Sequence, residues 1–280
     1  MANNERIGDK LIVSFIGAGK MGEALISGGI ASGSLQPENI YLSDVRKESL
    51  GCLRSKYNVK ISDNNIDAVK VADFIILAVK PQNIDEVLDE IAGYVDGSKT
   101  IVSIAAGINI ERITQKLHKE SQIIRVMPNN PALLRAGISV ISASSGVSKS
   151  ALEFVTKIFL GVGEVVFLDE KYQNLATALS GSGPAYFYLL VKLLIEAGIK
   201  LGLKPDISEK LVKQTLFGSA KMIKEIKKSP EELIKMVASP GGTTEAALKV
   251  FEKFNLKKGV VEAVRKAESR AIELGERKIN

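Results

Sequence analysis

Seven consecutive residues, Ile16-Gly17-Ala18-Gly19-Lys20-Met21-Gly22, carry recognisable chemistry near the start of the chain. They fit Gly-x-Gly-x-x-Gly, a spacing that is common by itself. Here it follows a short apolar run, Leu11–Ile16, and opens an apolar-periodic segment, Met21–Ile30. That strand–turn–helix context turns the spacing into a dinucleotide fingerprint. Gly17 permits the tight turn, Gly19 lets the backbone approach a pyrophosphate, and Gly22 lets the helix pack closely on the strand. Free N–H groups and the positive end of the helix dipole then face the phosphates.

Other candidate residues fall at ends of predicted elements. The second strand runs into Ser43-Asp44-Val45-Arg46-Lys47. An acid at this place bonds the ribose 2′-hydroxyl of NAD, whereas a hydroxyl and basic groups favour the 2′-phosphate of NADP. Both kinds are present, so the pattern leaves the dinucleotide open, and Asp44 equally fits a cap for the next helix. Ala78-Val79-Lys80-Pro81-Gln82 and Met127-Pro128-Asn129-Asn130-Pro131 follow two further apolar runs, at strand ends where α/β sheets bind ligands. The second is equally a proline-stiffened turn. Ser180-Gly181-Ser182-Gly183-Pro184 and Ser239-Pro240-Gly241-Gly242-Thr243-Thr244-Glu245 each precede a helical pattern. Small residues and hydroxyls at a helix start suit anions; a flexible linker plus an N-cap is the alternative.

What the chain lacks narrows the chemistry. Cys52 is the only cysteine and His118 the only histidine. An internal disulfide framework, a thiolate-rich metal site and a multi-histidine centre within one chain are excluded, and no metal is expected. His118 lies in a polar helical stretch, Gln115–Glu120, and receives no role. A reducing, cytoplasmic setting is the default.

The elements that must position these residues change character at Leu168. Before it, short Ile/Val-rich runs alternate with helical patterns: runs at 11–16, 40–43, 72–79, 100–105, 122–127, 137–141 and 164–168, helices at 21–30, 47–57, 83–91 and 148–160. Runs without strict alternation indicate a largely parallel sheet covered on both faces, hence a doubly wound α/β domain. After Leu168 only helices are predicted, at 174–179, 185–201, 207–226, 230–237, 244–253 and 257–276. Ala185–Leu201 is apolar nearly all round and must be buried, either in a subunit interface or at the centre of a monomeric bundle. The expected division is 1–168 for dinucleotide binding and 169–280 for the helical part.

At 280 residues, 45% apolar and 25% charged, the chain has material for one large domain or two modest ones and is not intrinsically disordered. Its longest uninterrupted apolar stretches, such as Phe74–Val79, fall short of the about 20 residues a membrane span needs, and the N-terminus lacks a signal-peptide pattern. The net charge of +6 divides into −2 over residues 1–170 and +8 over 171–280. A basic helical half fits nucleic acid, anionic ligands or a solvated surface. With no Trp and 5% aromatics, a stacking platform for nucleic acid is disfavoured, so neither nucleic acid nor membrane is expected as a partner.

Taken together, Gly17–Gly22, Ala78–Pro81, Met127–Pro131, Ser180–Tyr186 and Ser239–Thr244 make the chain similar to a pyrroline-5-carboxylate reductase over nearly its whole length. The last two motifs are the specific ones. The resemblance implies NAD(P)H-dependent reduction of 1-pyrroline-5-carboxylate to L-proline and does not settle NADPH against NADH. Ser43 with Arg46 and Lys47, set against Asp44, leads us to expect NADPH to be used at least as well as NADH. It implies an α/β fold, with an N-terminal Rossmann-type, mostly parallel sheet followed by an all-α C-terminal domain for substrate and dimerisation. An obligate dimer, in some members a ring of dimers, is part of the pattern. Cofactor contacts then fall to Gly17, Ala18, Gly19, Lys20, Met21, Gly22, Ser43, Asp44, Arg46, Asn64, Ala78, Val79, Lys80 and Pro81. Substrate contacts fall to Ser180, Gly241, Gly242, Thr243 and Thr244, the last also as the catalytic side chain. Rival readings are a β-hydroxyacid dehydrogenase-like reductase, which would need a lysine such as Lys192 or Lys200, and a non-catalytic dinucleotide sensor.

Overall fold

The computed structural model describes residues 11–117 and 121–276, so His118 lies outside the described residues. Two compact units result, one up to Ser182 together with the residues from Lys266 on, the other Gly183–Arg265.

The first unit is built in the order β1 (Val13–Ile16), α1 (Lys20–Ser32), β2 (Ile40–Ser43), α2 (Lys47–Tyr57), β3 (Lys60–Ile61), α3 (Asn65–Val71), β4 (Phe74–Leu77), α4 (Ile84–Ile91), β5 (Thr100–Ser103), α5 (Ile110–Leu117), β6 (Gln122–Met127), β7 (Gly137–Ala143), α6 (Lys149–Leu160), β8 (Gly163–Phe167) and α7 (Gln173–Ala176). The strands form one sheet in the order β3-β2-β1-β4-β5-β6-β7-β8. Every pairing is parallel except β6 with β7. Only five residues of turn, Asn130–Leu134, and short flanks join β6 to β7. So short a connection reverses direction, because a parallel crossover needs a dozen residues or more.

Successive side chains of a strand point to opposite faces, and both faces here are covered. Val13, Phe15, Phe74 and Ile76 pack with Leu25, Leu50, Phe154 and Phe159 from α1, α2 and α6. Ile16, Ile75 and Leu77 pack with Val69, Leu88 and Ile113 from α3, α4 and α5. This double burial is why β4 reads as the unbroken run Phe-Ile-Ile-Leu. Two elements carried no strong pattern: β3 is only two residues, and α3 is short. Its start is marked by an Asn-x-x-Asp spacing, in which Asn64 Oδ1 accepts from the Asp67 N–H at 2.8 Å, the geometry of an N-cap.

The sheet ends near Leu168, as expected, but the compact unit runs on to Ser182. Gln173, fully buried, donates through Nε2 to the Val140 carbonyl (3.1 Å) and to Ser142 Oγ (2.9 Å). Arg125, 3% exposed, pairs with Glu170 (3.2 Å) and donates to Asn174 Oδ1 (3.0 Å). These bonds hold α7 against β6 and β7. A single π turn, Thr177–Gly181, follows.

The second unit contains α8 (Gly183–Lys200), α9 (Pro205–Glu225), α10 (Pro230–Val237), α11 (Thr243–Lys253) and the first part of α12 (Leu256–Glu276). Pro205 and Pro230 occupy first-turn positions, where a missing N–H costs nothing. Ser229 and Glu232 form a reciprocal capping box at the start of α10. Of the two placements open to α8, the centre of a monomeric bundle is not what forms: Phe187, Leu189 and Leu193 are 59%, 55% and 51% exposed. The expectation of no membrane-length segment also needs correction. The run Glu170–Lys200 is long and apolar enough to cross a membrane by length and composition, because between Lys171 and Lys192 only uncharged residues interrupt its apolar ones.

Candidate functional site

Strand order reverses between β1 and β4: the chain moves outward from β1 to β2 and β3, then returns to β4 on the other side. Open α/β sheets bind ligands at the C-terminal strand ends beside such a switch point. Ile16 is in register with Ser43 on one side and Leu77 on the other, so three of the predicted motifs meet at one edge.

The glycine loop is anchored from both sides. The Gly17 N–H donates to the Ser43 carbonyl, and the Ala78 N–H to the Ile16 carbonyl, each at 2.8 Å. Gly17 has φ +103°, and a Cβ there would lie 2.6 Å from the Ala78 carbonyl oxygen. A Cβ on Gly22 would lie 2.8 Å from the Gly17 oxygen. Gly19 differs: a Cβ built on it meets nothing within 4 Å. Gly19 caps α1 without a side-chain hydrogen bond, so the first turn at Lys20, Met21 and Gly22 opens on free space. Glycines that the protein's own backbone requires therefore flank one that it does not crowd. Such a cradle of backbone N–H groups at a helix start fits a dinucleotide pyrophosphate.

The side chains after β2 take unexpected directions. The Ser43 hydroxyl is buried and donates to Asn65 Oδ1 at 2.7 Å, so Ser43 serves the loop through its carbonyl. Asp44 points into the loop, its side chain 7% exposed. Its Oδ2 accepts from the Ala18 N–H (2.7 Å) and Arg46 Nη2 (3.0 Å). Its Oδ1 accepts from the Arg46 N–H (2.8 Å) and Arg46 Nε (3.1 Å). Burial pushes the Asp44 carboxyl upward, but the bonds from Arg46 and Ala18 outweigh it and hold the group below the usual carboxylate range. Lys47 Nζ reaches the Asp63 carbonyl at 2.8 Å. Asn64, assigned to the cofactor, has both side-chain atoms on Asp67, because it caps α3. Lys80 is exposed before the turn at Pro81, and Val79 lies partly buried beside it.

The Ser180 turn and the Met127 loop also converge. A Cβ on Gly181 would meet Met127 Cε at 2.9 Å, so the glycine allows the π turn to sit on that methionine. The Ser182 N–H donates to the Thr177 carbonyl at 2.8 Å, and Ser180 Oγ donates to the Ala176 carbonyl at 2.8 Å. The cluster supporting this turn, Arg125, Glu170 and Gln173, went unnoticed in the sequence; an arginine inside an apolar strand run was the available signal. Burial lowers the Arg125 guanidinium from its ordinary value, opposed by Glu170.

In the second unit Gly241 has φ +72° and Gly242 caps α11. The Gly241 N–H donates to Glu245 Oε2 (2.8 Å) and the Gly242 N–H to the Ser239 carbonyl (2.9 Å). Gly241 and Gly242 were assigned to the substrate, but the loop's own bonds engage their N–H groups, because the tight turn folds Glu245 and Ser239 back onto them. Thr243 and Thr244 begin the helix with no side-chain cap. Lys192, the rival catalytic lysine, is exposed and pairs with Glu196 at 3.7 Å.

Fold and loop geometry thus define a nicotinamide-dinucleotide oxidoreductase with a helical second part. Family models match both parts, "NADP oxidoreductase coenzyme F420-dependent" over residues 12–107 and "Pyrroline-5-carboxylate reductase dimerisation" over 170–274. The chain is 38% identical to a pyrroline-5-carboxylate reductase of Synechocystis, covering 95% of this chain and 98% of that one. The Pseudomonas aeruginosa enzyme is also 38% identical, over 94% and 97%. A Coxiella burnetii pyrroline-5-carboxylate reductase structure superposes with a TM-score of 0.88 at 36% identity, over 95% and 98%. One from Plasmodium falciparum with NADP bound gives 0.84 at 32%, over 95% and 99%. The chain belongs to the pyrroline-5-carboxylate reductase family.

Proposed function

We propose that this chain reduces 1-pyrroline-5-carboxylate to L-proline with NADPH, the last step of proline synthesis, and accepts NADH less well. The observation that carries the reading is the match of pyrroline-5-carboxylate reductases along 95% of the chain, glycine loop and Thr244 loop included. When bound, the reduced nicotinamide supplies the hydride for the carbon of the cyclic C=N bond; the protein supplies binding, orientation and electrostatics. Backbone N–H groups at Lys20–Gly22 hold the pyrophosphate. Arg46 takes the 2′-phosphate, and the Ala78–Pro81 turn borders the dinucleotide.

The imine nitrogen is basic enough to carry its own proton, so no strong acid is required of a chain with one histidine. Thr243 and Thr244 offer the substrate carboxylate N–H groups already oriented by the helix start. The Thr244 hydroxyl bonds the carboxylate or the ring nitrogen.

A second copy of the chain covers the apolar face of α8, making an obligate dimer that assembles further into rings, in the cytoplasm and without nucleic acid or membrane. The test is NADPH and NADH oxidation measured side by side with 1-pyrroline-5-carboxylate. Stoichiometric proline is expected, with NADPH the more effective. Turnover of a hydroxy acid and none of the imine would defeat the reading.

A further inference from the structure

We infer that Asp44 is a positioning residue for dinucleotide choice: it fixes Arg46 and the glycine loop, and it does not read the ribose. The inference rests on the NADPH reading above and adds what sets the preference.

An ionised carboxylate has about four acceptor positions. In Asp44 all four are filled, two on each oxygen, by the Ala18 N–H, the Arg46 N–H, Arg46 Nε and Arg46 Nη2. A ribose 2′-hydroxyl could bond this carboxylate only by displacing one of them. Displacing Ala18 would free the glycine loop; displacing Arg46 would break a two-pronged ion pair, the strongest arrangement of such groups. The acid that in other Rossmann domains favours NAD is therefore turned inward here.

Among the described residues that follow β2, Arg46 is the cation best placed to meet a 2′-phosphate. Ser43 is buried on Asn65, and Lys47 is engaged by the Asp63 carbonyl. The Arg46 side chain is 59% exposed, and its Nη1 has no partner among the described residues. The fork with Asp44 fixes the guanidinium plane, so Arg46 is ordered before the phosphate arrives. Preorganisation of this kind lowers the entropy cost of binding. The dinucleotide preference thus depends on a carboxylate that never touches the phosphate.

Titration calorimetry of NADP⁺ and NAD⁺ against the intact chain, without substrate, tests this. Wild type should bind NADP⁺ more tightly. Arg46→Ala should lower that preference by about tenfold or more. Asp44→Ala should lose most of the same preference, with NADP⁺ affected more than NAD⁺. The double variant should show no lower preference than Arg46→Ala alone, because one residue acts through the other. Should Asp44→Ala fail to fold, Asp44→Asn keeps an acceptor for Ala18 and carries the same expectation.

Three results overturn the inference: Asp44→Ala weakens NAD⁺ as much as NADP⁺, it tightens NADP⁺, or the two losses of preference multiply in the double variant. A wild type without preference for NADP⁺ defeats the cofactor reading before Asp44 is touched, and the role given to Arg46 falls with it.

Discussion

Strand β4 places Phe74 and Ile76 against one helical layer and Ile75 and Leu77 against the other, and all four are buried. Between Gly183 and Arg265 the outcome is opposite. Only Gly183 and Ser208 are buried there, while Phe187, Leu189, Leu193, Phe217 and Phe254 stand more than half exposed. One unit completes its core within a single chain; the other makes secondary structure and leaves its apolar surface unpaired. Exposed apolar area of this extent marks an interface. Amphipathic helices draw most of their stability from packing, and these helices lie in the region matched by the family's dimerisation model. The site residues follow the same division. In the sheet unit, covalent neighbours and close backbone contacts set the glycine loop; in the helical unit, the proposed substrate donors lie at a turn and a helix start.

The largest expected effect breaks the comparison at its apolar end. Leu189→Glu with Leu193→Glu puts two charges, one turn apart, on α8. Sedimentation should show loss of the dimer, and turnover should fall by at least about 100-fold, while NADP⁺ binding falls far less. A stable, active monomer would show that α8 needs no partner.

Next come the two glycines that share a loop and differ in what surrounds them. Gly17→Ala forces a Cβ against the Ala78 carbonyl at positive φ, so thermal unfolding should show a loss of about 1–3 kcal/mol or more. Gly19→Ala meets open space and should leave stability within about 1 kcal/mol. NADPH affinity should still drop by about tenfold, because the new methyl stands where phosphates approach. Equal stability loss in both variants would erase the distinction between a structural and a ligand-required glycine.

Thr244→Ala sharpens the comparison from the substrate side. It keeps the N–H groups of α11 and removes one hydroxyl. A loss of about 1–3 kcal/mol in kcat/KM is expected, roughly 5–150-fold. NADPH affinity should hardly move; weaker NADPH binding with intact imine turnover would remove Thr244 from the substrate site.

The smallest effect is a pH dependence confined to the sheet unit. Asp44 is held below its ordinary carboxylate value in the folded chain, against burial, by Arg46 and Ala18. A depressed folded value stabilises above the unfolded value, about 4, and that contribution fades as pH falls through the folded one. Melting temperatures of wild type and Asp44→Asn should therefore differ at pH 6 and converge as pH falls below about 4. A gap that widens on acidification would reverse the sign.

Local signals carried much of this molecule. Unbroken Ile/Val runs marked a sheet buried on both faces, since such runs leave no side for water. The spacing of Gly17, Gly19 and Gly22 sufficed for the loop, because each requirement is met within a few residues of backbone. Capping residues such as Ser148 and Ser229, which accept from the third residue onward, marked helix starts by the same local rule. Tertiary structure alone decided the rest. It brought the Ala18 N–H onto the Asp44 carboxylate, beside three bonds from nearby Arg46, because Ala18 is a distant neighbour in sequence and a direct one in space. It drew residues 169–182 onto the sheet through Gln173 and Arg125, whereas the Asn64 cap and the turn that engages the Gly241 and Gly242 N–H groups are contacts between residues at most four apart. It also left α8 uncovered. Composition states that a helix must be buried, but whether its own chain has anything left to bury it against depends on how every other apolar face has already been paired.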